Sequence, residues 1–307
     1  MIVVVCPGQG SQTPGFLEPW LALDGARERL EQYADAAEVD VVEHGVHSEA
    51  SVIRDTSIAQ PLIVAASLLA WHALSERVTK GEVGGIAGHS VGELAALAGA
   101  NVLSDLDAMR LVGIRGRAMA HAAAFEITGM SAVLGGVEDE VLARLDDLGL
   151  TAANHNGSGQ IVAAGGIGQL DELRQEPPRG SRIVPLQVAG AFHTVFMASA
   201  VDRLRDAAAE VPVSDPTITL WTNHDGSVVA SGRQALDLLV GQVASPVRWD
   251  QCMASFADHG VTGIIELAPA GTLVGLAKRA LKGVPAVAVR TPDDLDEAVA
   301  LIAGDHS

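Results

Sequence analysis

Short apolar runs alternate along this 307-residue chain with longer stretches whose apolar residues recur every three or four positions, the pattern of strands interleaved with helices. Met1 to Cys6 is a β-branched run closed by Pro7 and Gly8; it reads as a buried parallel strand followed by the loop PGQGSQTPG. Residues 56–78 predict a helix with Thr56 or Ser57 as N-cap and Pro61 in its first turn, and 83–88 predict a second short strand. Helices follow over 93–102 and 105–124, the latter capped at Ser104 or Asp105.

The middle of the chain has a different grain. Strand-like runs at 130–134, 150–155, 160–164 and 182–188 are interleaved with helical stretches at 138–148 and 169–175, in the order βαββαβ. That is the split-βαβ, ferredoxin-like order, and its roughly 65 residues suffice for a small inserted subdomain. Helices over 195–210, 234–242, 249–259 and 273–281 then alternate with strands at 217–222 and 263–267, implying a parallel sheet covered on both faces. The predicted division is a large α/β subdomain from residues 1–125 and 190–307 and a small one from 126–189.

Composition narrows the function classes. Hydrophobic residues at 48% and charged ones at 19% exclude a disordered chain. The most apolar stretch, Leu62 to Trp71, is about half of the roughly 20 residues a bilayer span needs, so no membrane association is expected. The N-terminus lacks the basic region and apolar core of a signal peptide, and the two cysteines, Cys6 and Cys252, offer neither a metal cluster nor a disulfide framework. Cytoplasmic residence and a monomer are the expectations. A net charge of −18 repels polyanions and argues against a nucleic-acid partner. An anionic ligand would need a local basic patch; Lys278, Arg279 and Lys282 form one, or are simply a solvated helix end.

Four features carry candidate chemistry. Gly88-His89-Ser90-Val91-Gly92 matches a nucleophile elbow, a sharp strand-to-helix turn that exposes a serine hydroxyl at a helix N-terminus. The bland alternative is a tight turn whose serine only caps the helix. Among ten histidines, His193 in Gly-Ala-Phe-His-Thr stands where the small subdomain returns to the large one, a place where clefts form, whereas His89 reads as structural. No carboxylate is evident to complete a triad, so a carbonyl or amide is the expected orienting group. Arg115 falls among Leu111, Ile114, Ala118, Met119 and Ala122 on the apolar face of its helix. An inward guanidinium needs acceptors, supplied either by the protein or by a substrate carboxylate. The loop at 7–12 lacks the third glycine of a dinucleotide fingerprint, but a glycine-rich turn after a strand can present a backbone N–H to an acyl oxygen.

Taken together, PGQGSQ at 7–12, IAQP at 58–61, GHSVGE at 88–93, RGRAM at 115–119, GAFHT at 190–194 and QVASPVRW at 242–249 resemble the malonyl-CoA:acyl carrier protein transacylase family over essentially the whole chain. The resemblance implies an α/β-hydrolase-like large subdomain with a ferredoxin-like insertion, malonyl-CoA and an acyl carrier protein as partners, and no cofactor. It implies Ser90 as the acylated nucleophile, His193 as its base, Arg115 as the carboxylate clamp, and Gln9 and Val91 as backbone oxyanion donors. Gln242 resembles the family's glutamine beside the histidine, Phe192 the malonyl-selective form, and Lys278 and Arg279 the basic residues that receive the carrier. The late motif, often Gly-Pro-Gly, reads Ala268-Pro269-Ala270 here. The nearest rival, a serine esterase or thioesterase, would place its histidine near the C-terminus, where only His259 and His306 remain; a non-catalytic carrier-docking subunit is the other.

Overall fold

In the computed structural model, which describes residues 1–79 and 81–304, two five-stranded sheets are built from one winding chain. The elements run β1 (Ile2–Cys6), α1 (Ala26–Ala37), α2 (Val41–Val46), α3 (Thr56–Ser75), β2 (Val83–Gly88), α4 (Gly92–Gly99) and α5 (Asp105–Ala123). Next come β3 (Thr128–Gly135), α6 (Glu138–Asp147), β4 (Thr151–Gly157), β5 (Gln160–Gly166), α7 (Ile167–Gln175) and β6 (Ser181–Pro185). The chain closes with α8 (Ala198–Ala209), β7 (Thr219–Leu220), α9 (Gly232–Gln242), β8 (Val247–Arg248), α10 (Trp249–Asp258), β9 (Gly263–Glu266), α11 (Thr272–Ala280), β10 (Ala286–Ala288) and α12 (Leu295–Ala303).

The first sheet, β10-β9-β1-β2-β7, is parallel throughout. Its central strand IVVVC is buried on both faces because the strand period of two sends alternate residues to opposite sides. Ile2, Val4 and Cys6 join the core formed with α3, α4 and α5, while Val3 and Val5 pack with Trp249, Phe256, Leu273 and Leu276 of α10 and α11. Helix α3 is long and apolar enough to cross a bilayer, but most of its surface is buried in that first core. Asp55, rather than Thr56 or Ser57, caps it by accepting from the Ser57 N–H, and Pro61 falls in its second turn. Ser104 caps α5.

The second sheet, β6-β3-β5-β4-β8, has the βαββαβ order over its first four strands. Here too the alternation divides the labour: Ile161 and Ala163 pack under α6 and α7, while Val162 and Ala164 turn to the main core and join the two sheets' packing. The fifth strand, β8, comes from residues 247–248 and pairs parallel with β4 at Asn154 and His155. That pair was invisible in the sequence because two residues carry no period. Thr217 to Thr222 yields a strand of only two residues at the sheet edge, and the run 182–188 leaves its strand at Pro185. Helix α1 buries Ala26, Leu30, Tyr33 and Ala37 at helical spacing, but its N-cap is Gly25 with no side-chain cap, so nothing local marked where it begins. The expected helix over 195–210 begins as a 3-10 turn, Val195–Met197.

Helices α1 and α5 cross where Gly113 faces the carbonyl of Ala37, and a Cβ there would lie 2.2 Å from that oxygen. Gly113→Ala should therefore cost about 1 to 3 kcal/mol of stability through overpacking against backbone. Urea unfolding checks it, and an unchanged midpoint would contradict the close crossing.

Candidate active site

The C-terminal ends of β1 and β2 lie side by side, with Cys6 paired to Gly88, so the loops that leave them meet at one edge of the sheet. This is where parallel α/β sheets place their ligands. The turn from β2 into α4 is as tight as its glycines allow: a Cβ on Gly88 would lie 2.1 Å from the Gly92 carbon, and one on Gly92 would lie 2.2 Å from the Cys6 oxygen. Between them Ser90 adopts φ 54°, a left-handed conformation that a non-glycine residue takes only when its surroundings hold it there. Asn223, fully buried in the loop after β7, does the holding. Its Oδ1 accepts from the Ser90 N–H at 2.7 Å and its Nδ2 donates to the Gly88 carbonyl at 2.7 Å.

Ser90 Oγ lies 2.7 Å from His193 Nε2. His193 Nδ1 is 2.8 Å from the backbone carbonyl of Gln242, the last residue of α9. A carbonyl can only accept, so Nδ1 carries the proton and Nε2 is left to accept from the serine. The orienting group is thus a carbonyl at the negative end of a helix. Burial, and then the nearby Arg115 charge, hold the imidazole's pKa down from 6.5 to about 3. At neutral pH the ring is an uncharged acceptor.

Arg115 is 1% exposed, yet forms no ion pair among the described residues. Nη1 donates to Gln60 Oε1 at 2.7 Å, and Nη2 donates to Gln242 Oε1 at 3.0 Å and more distantly to Ser90 Oγ at 3.5 Å. Its Nε has no hydrogen-bond partner among the described residues. Burial lowers its pKa to about 10, partly opposed by Glu93, so the guanidinium keeps its charge at neutral pH. Both acceptors are neutral amides, which removes the protein-carboxylate reading of this residue and leaves a cation awaiting an anion.

These groups face a cavity of about 250 Å³ between the two sheets, with Ser90, His193, Arg115 and Gln60 on its polar side and Met119 and Met130 among its apolar walls. Gln9, Val91 and Phe192 line it as well, and neither the Gln9 nor the Val91 backbone N–H donates to another group among the described residues. Lys278 and Arg279 are not in the cavity. They are exposed on the last turn of α11, whose earlier residues Leu273 and Leu276 line it, and Arg279 Nη2 donates to Gln160 Oε1 at 3.1 Å. His89 also lines the cavity, but its Nε2 meets Asn156 Oδ1 of β4 at 2.9 Å and its ring stands edge-on to Trp249, contacts that suit a structural histidine. His259 does not line the cavity, and His306 lies outside the described residues. Sequence reasoning missed Gln60, Glu93 and Asn223 as individuals. The first two sat inside the IAQP and GHSVGE motifs; Asn223 carried no local signal, since its role is set by β7 lying beside β2.

The chain is similar to known proteins over nearly its whole length. The acyl transferase domain model matches residues 3–301. The chain is 53% identical over 298 residues to a malonyl CoA-acyl carrier protein transacylase of Mycobacterium bovis, covering 97% of this chain and 99% of the relative. A crystal structure of MCAT from Mycobacterium tuberculosis superposes with TM-score 0.94 at 52% identity, covering 97% of this chain and 99% of that one. A type II PKS acyl-carrier protein in complex with its malonyl-transacylase superposes with TM-score 0.90 at 26% identity over 99% of both chains.

Because His193 is held below its ordinary pKa, the unfolded chain takes up the proton first as the solution is acidified. The stability tied to neutral His193 is whole above about pH 6.5 and is lost progressively as pH falls toward 3. Ring ¹⁵N NMR should show a neutral, Nδ1-protonated His193 from about pH 8 down to about pH 5. A titration midpoint near the ordinary 6.5 would contradict the assignment.

Proposed function

The chain belongs to the acyl transferase domain family, and from that premise and its cavity we propose that it moves a malonyl group from malonyl-CoA to the phosphopantetheine thiol of an acyl carrier protein. The observation that carries this reading is Arg115: a buried, charged fork that forms no ion pair among the described residues, within 3.5 Å of a serine hydroxyl already bonded to a neutral histidine.

In the proposed reaction His193 Nε2 takes the Ser90 Oγ proton as Oγ attacks the malonyl thioester carbon. The backbone N–H groups of Gln9 and Val91 receive the developing oxyanion. Collapse breaks the C–S bond, and the proton on Nε2 passes to the leaving CoA thiolate, leaving a malonyl ester on Ser90. The carrier's thiol then gives its proton to the same nitrogen, attacks the ester and restores the serine. Serine, histidine and amides suffice for these steps, and no cofactor enters them. Arg115 holds the free malonyl carboxylate throughout, and Phe192 narrows the space beside the carbon between the two carbonyls.

Lys278 and Arg279 suit reception of an acidic carrier, because they give a chain of net charge −18 a local positive edge on the helix that also lines the cavity. On this reading residues 126–189 are the small subdomain that closes the acyl site and residues 1–125 and 190–307 the large one that carries Ser90, His193 and Arg115. Cytoplasmic residence fits two buried, unpaired cysteines.

An acetyl group would leave the guanidinium unmatched, whereas malonyl completes it. Arg115→Ala should lose on the order of 2 to 4 kcal/mol of malonyl transition-state stabilisation, about 30- to 1,000-fold in kcat/KM, with acetyl transfer nearly unaffected. Steady-state transfer from malonyl-CoA and acetyl-CoA checks this; a variant that kept its full malonyl preference would remove Arg115 from the mechanism.

A further inference from the structure

Gln242 is a junction. Its backbone carbonyl fixes His193, its side-chain Oε1 accepts from Arg115, and its Nε2 donates to Glu93 Oε2 at 2.5 Å. Glu93, in the first turn of α4, is only 5% exposed, and its other oxygen accepts the backbone N–H of Asn223 at 2.6 Å. The proposed reaction uses neither oxygen directly.

We propose that Glu93 is a positioning residue that sets the polarity of the Gln242 side chain and through it the acceptor that aims Arg115 at the substrate carboxylate. The inference rests on the transacylase reading. A side-chain amide has one accepting and one donating end, and either could face Arg115 unless something fixes it. The carboxylate fixes it: burial raises its pKa to about 8, yet both oxygens face donors, which favours the accepting form. One oxygen is held by the Asn223 backbone N–H, which cannot turn round, and the other takes the shortest of the Gln242 NH2 bonds, 2.5 Å against 3.2 Å to Asn223 Oδ1 and 3.3 Å to the Ser90 carbonyl. Oε1 of Gln242 is thereby left facing Arg115 Nη2.

Glutamine at position 93 has nearly the same shape but the wrong pattern. Its carbonyl would have to serve the Asn223 N–H, so its NH2 would oppose the NH2 of Gln242. Gln242 would lose its shortest bond and keep only the longer ones to Asn223 Oδ1 and the Ser90 carbonyl; as it turns over it presents a donor to the guanidinium, and the clamp loses an acceptor and gains a repulsive neighbour. Charge alone acts in the opposite sense: removing a carboxylate near Arg115 strengthens the pull on malonyl. The sign of the change therefore separates an amide relay from a simple countercharge.

The test is steady-state transfer by the full-length protein from malonyl-CoA and acetyl-CoA, with Glu93→Gln, Arg115→Ala and the double variant compared with wild type. The relay requires a malonyl KM raised about tenfold or more in Glu93→Gln, the scale of one lost charged hydrogen bond. Acetyl kinetics should be unchanged, and the double variant should show no further rise over Arg115→Ala. A malonyl KM that falls or stays level, or an equal loss for both substrates, overturns the proposal. If Glu93→Gln does not fold, Glu93→Asp decides: an acceptor-only carboxylate, though shorter, should keep the malonyl preference, and loss of that preference with turnover kept overturns the relay. A wild type that takes no malonyl overturns the functional reading, and the relay with it; a wild type that takes malonyl while Glu93→Gln matches it overturns the relay alone.

Discussion

A guanidinium shut away from water, bonded to two amide oxygens and more distantly to the Ser90 hydroxyl, sets the terms for everything around it. Burying such a charge is costly, and the protein offsets that cost only in part, through Gln60 and Gln242, leaving Nε without an acceptor. The same positive charge keeps protons off His193, since it adds to burial in lowering that ring's pKa. One cation thus both waits for an anion and holds its neighbouring base neutral. The neutral carbonyl of Gln242 behind His193 fits this arrangement, because it fixes the tautomer without bringing a second carboxylate close enough to occupy Arg115.

The scaffold's task is to bring distant segments to this charge. Ser90 comes from the turn after β2, Arg115 from α5, His193 from the return out of the small subdomain, and Gln242 from the end of α9. Two of the six non-glycine residues at positive φ among the described residues meet at this site, Ser90 at 54° and His193 at 61°. Asn223 ties the first of these down by bonding both sides of the elbow, while Val162 and Ala164 of the second sheet pack into the main core, with Val162 also lining the cavity. The cavity lies between the sheets, where the strained elbow meets the buried face of α5.

Much of this was legible in the sequence, for reasons that differ from residue to residue. The elbow glycines were readable because backbone crowding admits nothing larger, and Arg115 because its place on an apolar helix face is a matter of counting. The βαββαβ order was readable from period alone. What stayed hidden depended on contacts between distant segments: β8 has two residues and exists only because β4 offers it an edge, and Asn223 acts across from β7 to β2. The identity of the group behind His193 was open until α9 was seen to end beneath it. Helix α1 shows the limit from the other side, with a plain apolar spacing but no cap to mark where it begins.

The most direct measurement is the intact mass of the protein after mixing with malonyl-CoA, alongside Ser90→Ala, followed by addition of a phosphopantetheinylated carrier protein. The account expects one malonyl adduct on the wild type and none on the variant, discharged on addition of the carrier, which gains the same mass. No adduct on folded wild type, an adduct that persists in Ser90→Ala, or one that leaves as free malonate without reaching the carrier would contradict it.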